Sequence, residues 1–380
     1  QMQNYPEKMN KIELLVKPNS YLCNLDCSYC FYKKTKKIYP DAKIMNLKTL
    51  EFFIKKFMDY SEGKNIYFCW QGGEPLIAGI DFYYNVIELQ KKYGKRGQIV
   101  GNTIQTNGIL IDEKWIQFFK KYNFFIGVSL DGPKEIHNFY RGYRDGRKTF
   151  RKVMENIKLM KNNGVEFNIL STIGDETGKY PEMIFDFFVK KDFKYLQFIP
   201  ATDRKNDKIS KFSIKPETYS NFLCKIFDLW WNNGAPFISI RFFDNIIEIL
   251  LGLEVSSCTL KKRCGEYLVV EYNGDIYPCD FFVNTQFKLG NIFNDSLDLI
   301  YEKLKKFGEL KEIQIRECKN CEWNFICNNG CLWQRYVKNG KLNGPDYLCP
   351  AYKKFFSYSY ERFKILSENL ILKNIKKSLK

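Results

Sequence analysis

Between residue 11 and about residue 200, six β-type runs alternate with amphipathic helical ones, and no other feature of this 380-residue chain limits its fold as much. The strand candidates are KIELLVKP, IYFCWQG, GNTIQTNG, FFIGVSLDG, FNILSTI and YLQFIPA, short and rich in β-branched and aromatic residues. Between them, LKTLEFFIKKFMDY, DFYYNVIELQKKYG, DEKWIQFFKKY and TFRKVMENIKLMKNNG carry apolar residues at helical spacing. Such repeats predict an α/β fold, a parallel sheet with helices outside, wound as an open doubly wound sheet or a curved partial barrel. Several strands end in polar, glycine-containing turns (WQGGEP, QTNG, SLDGP), and in barrels functional groups gather at that C-terminal rim.

No G-x-G-x-x-G follows the first strand, which weakens a dinucleotide-binding reading. In its place stands CNLDCSYC, with Cys23, Cys27 and Cys30 in the spacing C-x3-C-x2-C. Three thiolates are one short of a closed zinc tetrahedron or a four-cysteine cubane cluster. The fourth position is therefore filled from a distance, as in a zinc site, or left open for a ligand that takes part in the chemistry. The chain has 13 cysteines, an odd number with many C-x2-C-type spacings, which favours metal ligation over disulfides. From about residue 246 a second cysteine-rich section holds Cys258, Cys264, Cys279, Cys318, Cys321, Cys327, Cys331 and Cys349. It opens with a predicted hairpin, EYLVVEYNGDIYPCDFF, turning at Asn273-Gly274, and ends before a helix, YKKFFSYSYERFKILSENL. By count alone, eight thiolates suit two zinc ribbons or two cubanes. Cys69, on a strand, and Cys224, on an apolar helix, read as buried small hydrophobes.

The single histidine, His137, excludes a three-histidine zinc site and leaves general-base work to Asp, Glu, Lys or Tyr. His137 itself follows a turn and reads as structural or as a substrate-side contact. With 45% hydrophobic and 17% aromatic residues the chain is a folded globular protein. It shows neither a signal-peptide pattern nor an apolar run of membrane-spanning length, so a cytoplasmic location is expected, with Gln1 ahead of Met2 a processing remnant. The net charge of +17 permits nucleic-acid, membrane-surface or acidic-protein partners. A plainer reading is a Lys-rich bias spread over solvated helix faces, concentrated only in the tail KNIKKSLK. A zinc-binding nucleic-acid module would account for the charge and the C-x2-C pairs. The β/α repeats and the open three-cysteine loop argue against it, so neither nucleic acid nor membrane is expected as a partner.

In spacing and position the N-terminal motif resembles that of the radical S-adenosylmethionine superfamily, and the aromatics of YCFY fit it too. The resemblance implies a partial (βα)6 barrel in which Cys23, Cys27 and Cys30 hold three irons of a [4Fe-4S] cluster. The fourth iron would chelate S-adenosyl-L-methionine, whose reductive cleavage yields a 5′-deoxyadenosyl radical. WQGGEP is similar to the family's GGE motif, so Gly72, Gly73 and Glu74 would meet the methionyl ammonium through carbonyls and a carboxylate. By the same likeness Gln105, Ser129 and Asp131 would contact ribose or carboxylate and Arg141 the carboxylate. Leu196, near the end of strand six, would pack on the adenine.

The second section resembles the SPASM extension of peptide-modifying radical enzymes, which implies two further [4Fe-4S] clusters and three in all. Cys258, Cys264, Cys279 and Cys331 would hold one; Cys318, Cys321, Cys327 and Cys349 would hold the other. CNLDCSYCFY, WQGGEP, LQF, IRFFDN, YPCDFF and CEW together resemble anaerobic sulfatase-maturating enzymes, which oxidise a Cys or Ser of a sulfatase to Cα-formylglycine. That likeness implies a carboxylate base at Asp280, directly after Cys279, with Tyr32 and Gln71 positioning the substrate side chain. Partial burial would suit such a base to a thiol. A sulfatase or other peptide or protein is the implied substrate, and reduced flavodoxin or ferredoxin the electron donor. The expected division is a radical barrel over 1–245, a SPASM domain over 246–355, and a C-terminal helix and basic tail over 356–380. LWQRY after Cys331 and the loop IPATDRKNDKISKF depart from the family pattern. The alternative function is a ribosomal-peptide maturase that installs a thioether or carbon–carbon crosslink.

Overall fold

The computed structural model describes residues 11–378, with side chains as far as residue 372. Gln1, Met2 and the side chains of the basic tail lie outside that range. Strands β1 (Lys11–Lys17), β2 (Asn65–Trp70), β3 (Val100–Thr106), β4 (Phe125–Ser129), β5 (Phe167–Ile173) and β6 (Tyr195–Pro200) stand side by side in chain order, all parallel. A doubly wound sheet would reverse its strand order at a switch point; sequential winding is that of a barrel. The curve stays open, because the sheet ends at β12 on one side and β9 (Ser239–Ile240) on the other.

Strand chemistry follows the winding. In β2, Ile66, Phe68 and Trp70 have no exposed surface and face the helices, whereas Tyr67 and Cys69 are half-buried on the opposite face. The inner face of β3 and β4 reads Gly101, Thr103, Gln105 and then Gly127, Ser129, so the lumen is lined by small and polar groups. Gly127 is required there, since a Cβ would fall 2.0 Å from Gln105 Oε1. Cys69 therefore lines the lumen, beside Thr103 and Lys17, and packs half-buried against the apolar cluster of Leu15, Tyr32 and Val269. Cys224 is also half-buried.

The outer helices match the expected periodicity. Leu47–Ser61 is capped by Asn46 and Glu113–Lys121 by Asp112, whose side chain accepts from the Trp115 amide at 3.0 Å. Such caps contribute on the order of 1 kcal/mol. The predicted hairpin forms as β10 (Leu268–Glu271) and β11 (Asp275–Tyr277), followed by β12 (Gly290–Asn291). β10 pairs parallel with β1, setting Lys17 opposite Glu271, so ten strands make one sheet through both cysteine-bearing regions. Helix Arg241–Leu250 likewise runs through the expected 245/246 boundary. The C-terminal helix begins at Cys349 and packs Phe355 and Phe363 against Phe227, Trp230 and Phe243. No helix among the described residues is long and apolar enough to cross a membrane.

Candidate active site

The loop after β1 carries Cys23, Cys27 and Cys30 and is stitched to the glycine motif that follows β2. The Gly73 amide donates to Ser20 O at 2.6 Å and the Glu74 amide to Leu22 O at 2.9 Å. Asn19 Nδ2 donates to Leu22 O and Glu74 O, both at 2.8 Å. A Cβ at Gly73 would sit 2.0 Å from Leu22 O, so only glycine allows this approach. Burial pushes the Cys23 thiol up to about 12, and Glu74, Cys27 and Cys30 add to it. Burial also raises Cys27, against Arg141. Cys23 and Cys27, so raised, ionise together only with positive metal beside them.

The carboxylates of the rim are buried and engaged by donors of the chain itself. Glu74 has no exposed surface, and its oxygens accept from the Leu76 amide (3.1 Å), the Thr106 hydroxyl (2.7 Å) and the Asn107 amide (2.7 Å). Burial holds its carboxyl up at about 7 despite these donors. It ties three turns together. Asp131 is equally buried, bound by Arg141 Nε and Nη2 at 2.9 and 3.1 Å, by Tyr29 Oη at 2.7 Å and by the Thr172 amide at 2.9 Å. It thus holds Arg141 in place. Arg141 lies close enough for its charge to act on Cys27. Gln105 Nε2 on β3 donates to Ser129 Oγ on the neighbouring β4 at 3.1 Å. Leu196 is the second residue of β6, pairs with Ile169 and Ile240, and is buried on the helix side, away from the rim. The inward residue near the end of that strand is Ile199.

Asp280 lies beside this loop. Phe281 packs on Phe31, the residue after Cys30, with ring centroids 4.4 Å apart. Asp280 opens the short helix Asp280–Phe282. Its carboxylate, on a residue 7% exposed, accepts from Tyr267 Oη at 3.2 Å and stands 3.9 Å from Lys17 Nζ. Lys17 is itself buried at the end of β1, its ammonium 4.4 Å from the centre of the Tyr32 ring. The Tyr32 hydroxyl bonds to Glu271 on β10, whose carboxyl burial raises to about 7. Tyr32 is 2% exposed. The Gln71 amide bonds to Val16 O at 2.9 Å, which places Gln71 just past β2 on the same rim. Lys17, Tyr29 and Glu271 were not singled out from the sequence; a lysine closing an apolar strand reads as a surface residue.

The later cysteines fall into two groups. Cys318, Cys321, Cys327 and Cys349 line one small cavity with Trp323, Asp346 and Tyr352. After burial, the charges that raise Cys327, up to about 12, include those of Cys318, Cys349 and Cys321. Cys258, Cys264 and Cys331, each pushed up to about 11 by burial, act on one another, and Cys279 is raised by Cys258 and Cys331. Among the described residues no group of three or more His, Cys, Asp or Glu is placed to hold a metal ion. A cubane cluster takes four thiolates, and the gathering of Cys318, Cys321, Cys327 and Cys349 about one cavity fits that donor set. The two segments that depart from the family pattern pack together. β7 (Arg204–Lys205) and β8 (Lys208–Ile209) turn at Asn206-Asp207, and Arg204 Nη1 donates to Val337 O at 3.2 Å. Gln334 Nε2 reaches Thr202 Oγ1 at 2.8 Å and Trp333 Nε1 reaches Thr202 O at 3.3 Å.

Residues 20–188 match the family model of the Radical SAM superfamily, and residues 258–322 that of the SPASM iron–sulfur cluster-binding domain. A cysteine-type anaerobic sulfatase-maturating enzyme of Clostridium novyi is 37% identical over 370 residues, 95% of this chain and 99% of that protein. A serine-type enzyme of Bacteroides thetaiotaomicron is 35% identical, covering 97% of this chain and 95% of its own length. The solved structure of native anSMEcpe with bound AdoMet and Cp18Cys peptide superposes with a TM-score of 0.88 at 38% identity, over 95% of this chain and 99% of that one.

Proposed function

This chain belongs to the anaerobic sulfatase-maturating enzymes of the radical S-adenosylmethionine superfamily, and from that premise we propose that Asp280 is the base that deprotonates a Cys or Ser side chain as it is oxidised to formylglycine. When bound, the iron–sulfur clusters and S-adenosylmethionine supply the radical that takes a hydrogen atom from the substrate Cβ and the route by which a second electron leaves. The remaining change belongs to this chain: the thiol or hydroxyl proton moves to an oxygen of Asp280, and for a thiol substrate water then hydrolyses the thioaldehyde to aldehyde and sulfide. The observation that carries this reading is the carboxylate of Asp280, between Tyr267 and Lys17, on the segment packed against the helix that follows Cys30.

In the same reading Cys23, Cys27 and Cys30 hold the reactive cluster. Cys258, Cys264, Cys279 and Cys331 hold one auxiliary cluster, and Cys318, Cys321, Cys327 and Cys349 the other. Arg141, Gln105 and Ser129, with the carbonyls of Gly72 and Gly73, receive the cofactor, while Gln71 faces the substrate and Tyr32 braces that wall.

Asp280→Asn keeps the shape and removes the proton acceptor. With a peptide containing C-x-P-x-R, the variant should still form 5′-deoxyadenosine while formylglycine production falls on the order of 10²–10⁴-fold, the usual cost of losing a general base. An undiminished aldehyde yield would show that another group takes the proton. The electron donor in this proposal is an acidic flavodoxin or ferredoxin, in keeping with the net charge of +17. Turnover with such a donor should fall steeply between low and high salt, and turnover with dithionite much less. Equal salt sensitivity would remove the charge from the argument.

A further inference from the structure

Two fully buried cations in the second cysteine-rich region are hydrogen-bonded to nothing anionic. Lys311, on helix Leu297–Glu312, and Arg335, on helix Leu332–Asn339, have no exposed surface. Lys311 Nζ donates to the carbonyls of Cys258 at 3.2 Å, Thr259 at 2.9 Å and Lys261. Arg335 donates to the carbonyls of Asn329, Leu310, Leu342 and Lys311 at 2.8–3.2 Å. Every one of these bonds ends on the main chain. Asp346, the carboxylate whose field reaches both cations, has its oxygens engaged by the Cys331 amide at 2.8 Å and the Leu348 amide at 2.6 Å.

Carbonyl dipoles satisfy the hydrogen-bonding capacity of a buried cation but do not neutralise it. An ion held away from water without a counter-charge costs several kcal/mol, which is why buried charges are nearly always paired. Beside the single carboxylate of Asp346, the side chains electrostatically coupled to these two cations are cysteines. Lys311 acts on Cys258, Cys264 and Cys331, all of one quartet. Arg335 acts on Cys264 and is acted on by Cys331 of that quartet and by Cys318 of the other. As free thiols these groups are neutral and leave one carboxylate, Asp346, against two cations; as four thiolates around a cubane they carry net negative charge.

Resting on the reading that the quartets hold the auxiliary clusters, we propose that Lys311 and Arg335 are their built-in counter-charges and set how readily each cluster accepts an electron. A fixed positive charge favours the reduced form, which carries one more negative charge. Lys311 serves the cluster of Cys258, Cys264, Cys279 and Cys331, whereas Arg335 lies between the two and serves both. Reduction of an auxiliary cluster is the step that accepts the second electron of the oxidation, so these residues act on the reaction through the clusters and touch no substrate.

The test uses full-length protein in which Cys23, Cys27 and Cys30 are alanine, reconstituted anaerobically, so that the auxiliary clusters alone give electron paramagnetic resonance signals during a redox titration. Lys311→Met should lower the reduced-to-oxidised ratio of one cluster about tenfold at a fixed potential, a 59 mV shift for one electron. Arg335→Met should move both clusters in the same direction. Lys311→Arg and Arg335→Lys, which disturb the same bonds but keep the charge, should titrate near the parent. Unchanged midpoints in methionine variants with full auxiliary iron would overturn the proposal and leave the two cations as struts. If iron is lost, loss confined to the methionine variants supports the counter-charge role, and equal loss in the charge-keeping pair overturns it. A parent that binds no iron fails at the cluster assignment, which the parent alone reveals.

Discussion

Around Cys23, Cys27 and Cys30 the protein engages its buried carboxylates with donors of its own, whereas around the two later quartets its buried cations end on backbone carbonyls. At the barrel rim Glu74 is held by three donors and Asp131 by Arg141, Tyr29 and a backbone amide. In the second region Lys311 and Arg335 have no such partners. The contrast matches two tasks. A cluster that keeps one iron open for an exchangeable cofactor needs a frame that stands without it, because that frame must survive each turnover. A cluster enclosed by four cysteines never has to leave, so the surrounding fold can depend on its charge.

The widest separation between the two regions should come from removing their cysteines. Changing Cys23, Cys27 and Cys30 to Ala should abolish 5′-deoxyadenosine formation, remove roughly one third of the iron as one cubane of three, and leave the thermal transition close to that of the parent. Changing Cys331 and Cys349 to Ala should instead depress the melting temperature and the soluble yield, because Lys311 and Arg335 lose the charge that balances them. Iron and sulfide analysis with calorimetry on both variants decides it. Equal destabilisation by the two sets would break the comparison.

What the sequence could and could not convey follows the same physics. The six strands and their helices were legible because a lumen-facing strand alternates, as Ile66, Phe68 and Trp70 do against Tyr67 and Cys69. Leu196 was misplaced because Phe198 and Ile199 are both apolar, so alternation alone does not say which face of β6 looks inward. Glu74 and Asp131 stand in turns where ligands are expected. Their engagement depends on Thr106, Asn107 and Arg141, partners that only the folded chain brings near. The adjacency of Asp280 to Cys279 was visible in one dimension. Its neighbour Lys17 was not, since the pairing that sets Lys17 opposite Glu271 joins residues 254 positions apart. Cysteines were the most legible part, because their chemistry restricts what else they do at such spacing.

The smallest effect sharpens the comparison on the barrel side, where self-sufficiency implies a histidine that never charges. His137 is fully buried behind the Asp131 turn; its Nδ1 accepts from the Asp131 amide at 3.4 Å and its Nε2 meets Thr149 Oγ1 at 3.0 Å. That assignment places the proton on Nε2. Burial lowers the imidazole to about 3, with Asp131 pulling the other way and Arg141 adding to the fall. The unfolded chain, with an ordinary value of 6.5, therefore takes up a proton first as the pH drops. Stability is lost from about pH 6.5 down to about pH 3, at about 1.4 kcal/mol per pH unit at most. Glu74 and Glu271, held up near 7 by burial, tilt stability the opposite way, so the measurement is the difference between wild type and His137→Asn. Denaturant unfolding between pH 6.5 and 5 should show wild type losing stability relative to the variant as acid is added. In the same range the single imidazole, followed by nitrogen-15 resonance, should not titrate. A protonation midpoint near 6 would place His137 in contact with solvent or ligand, and the rim would then lean on its cofactor as the quartets lean on theirs.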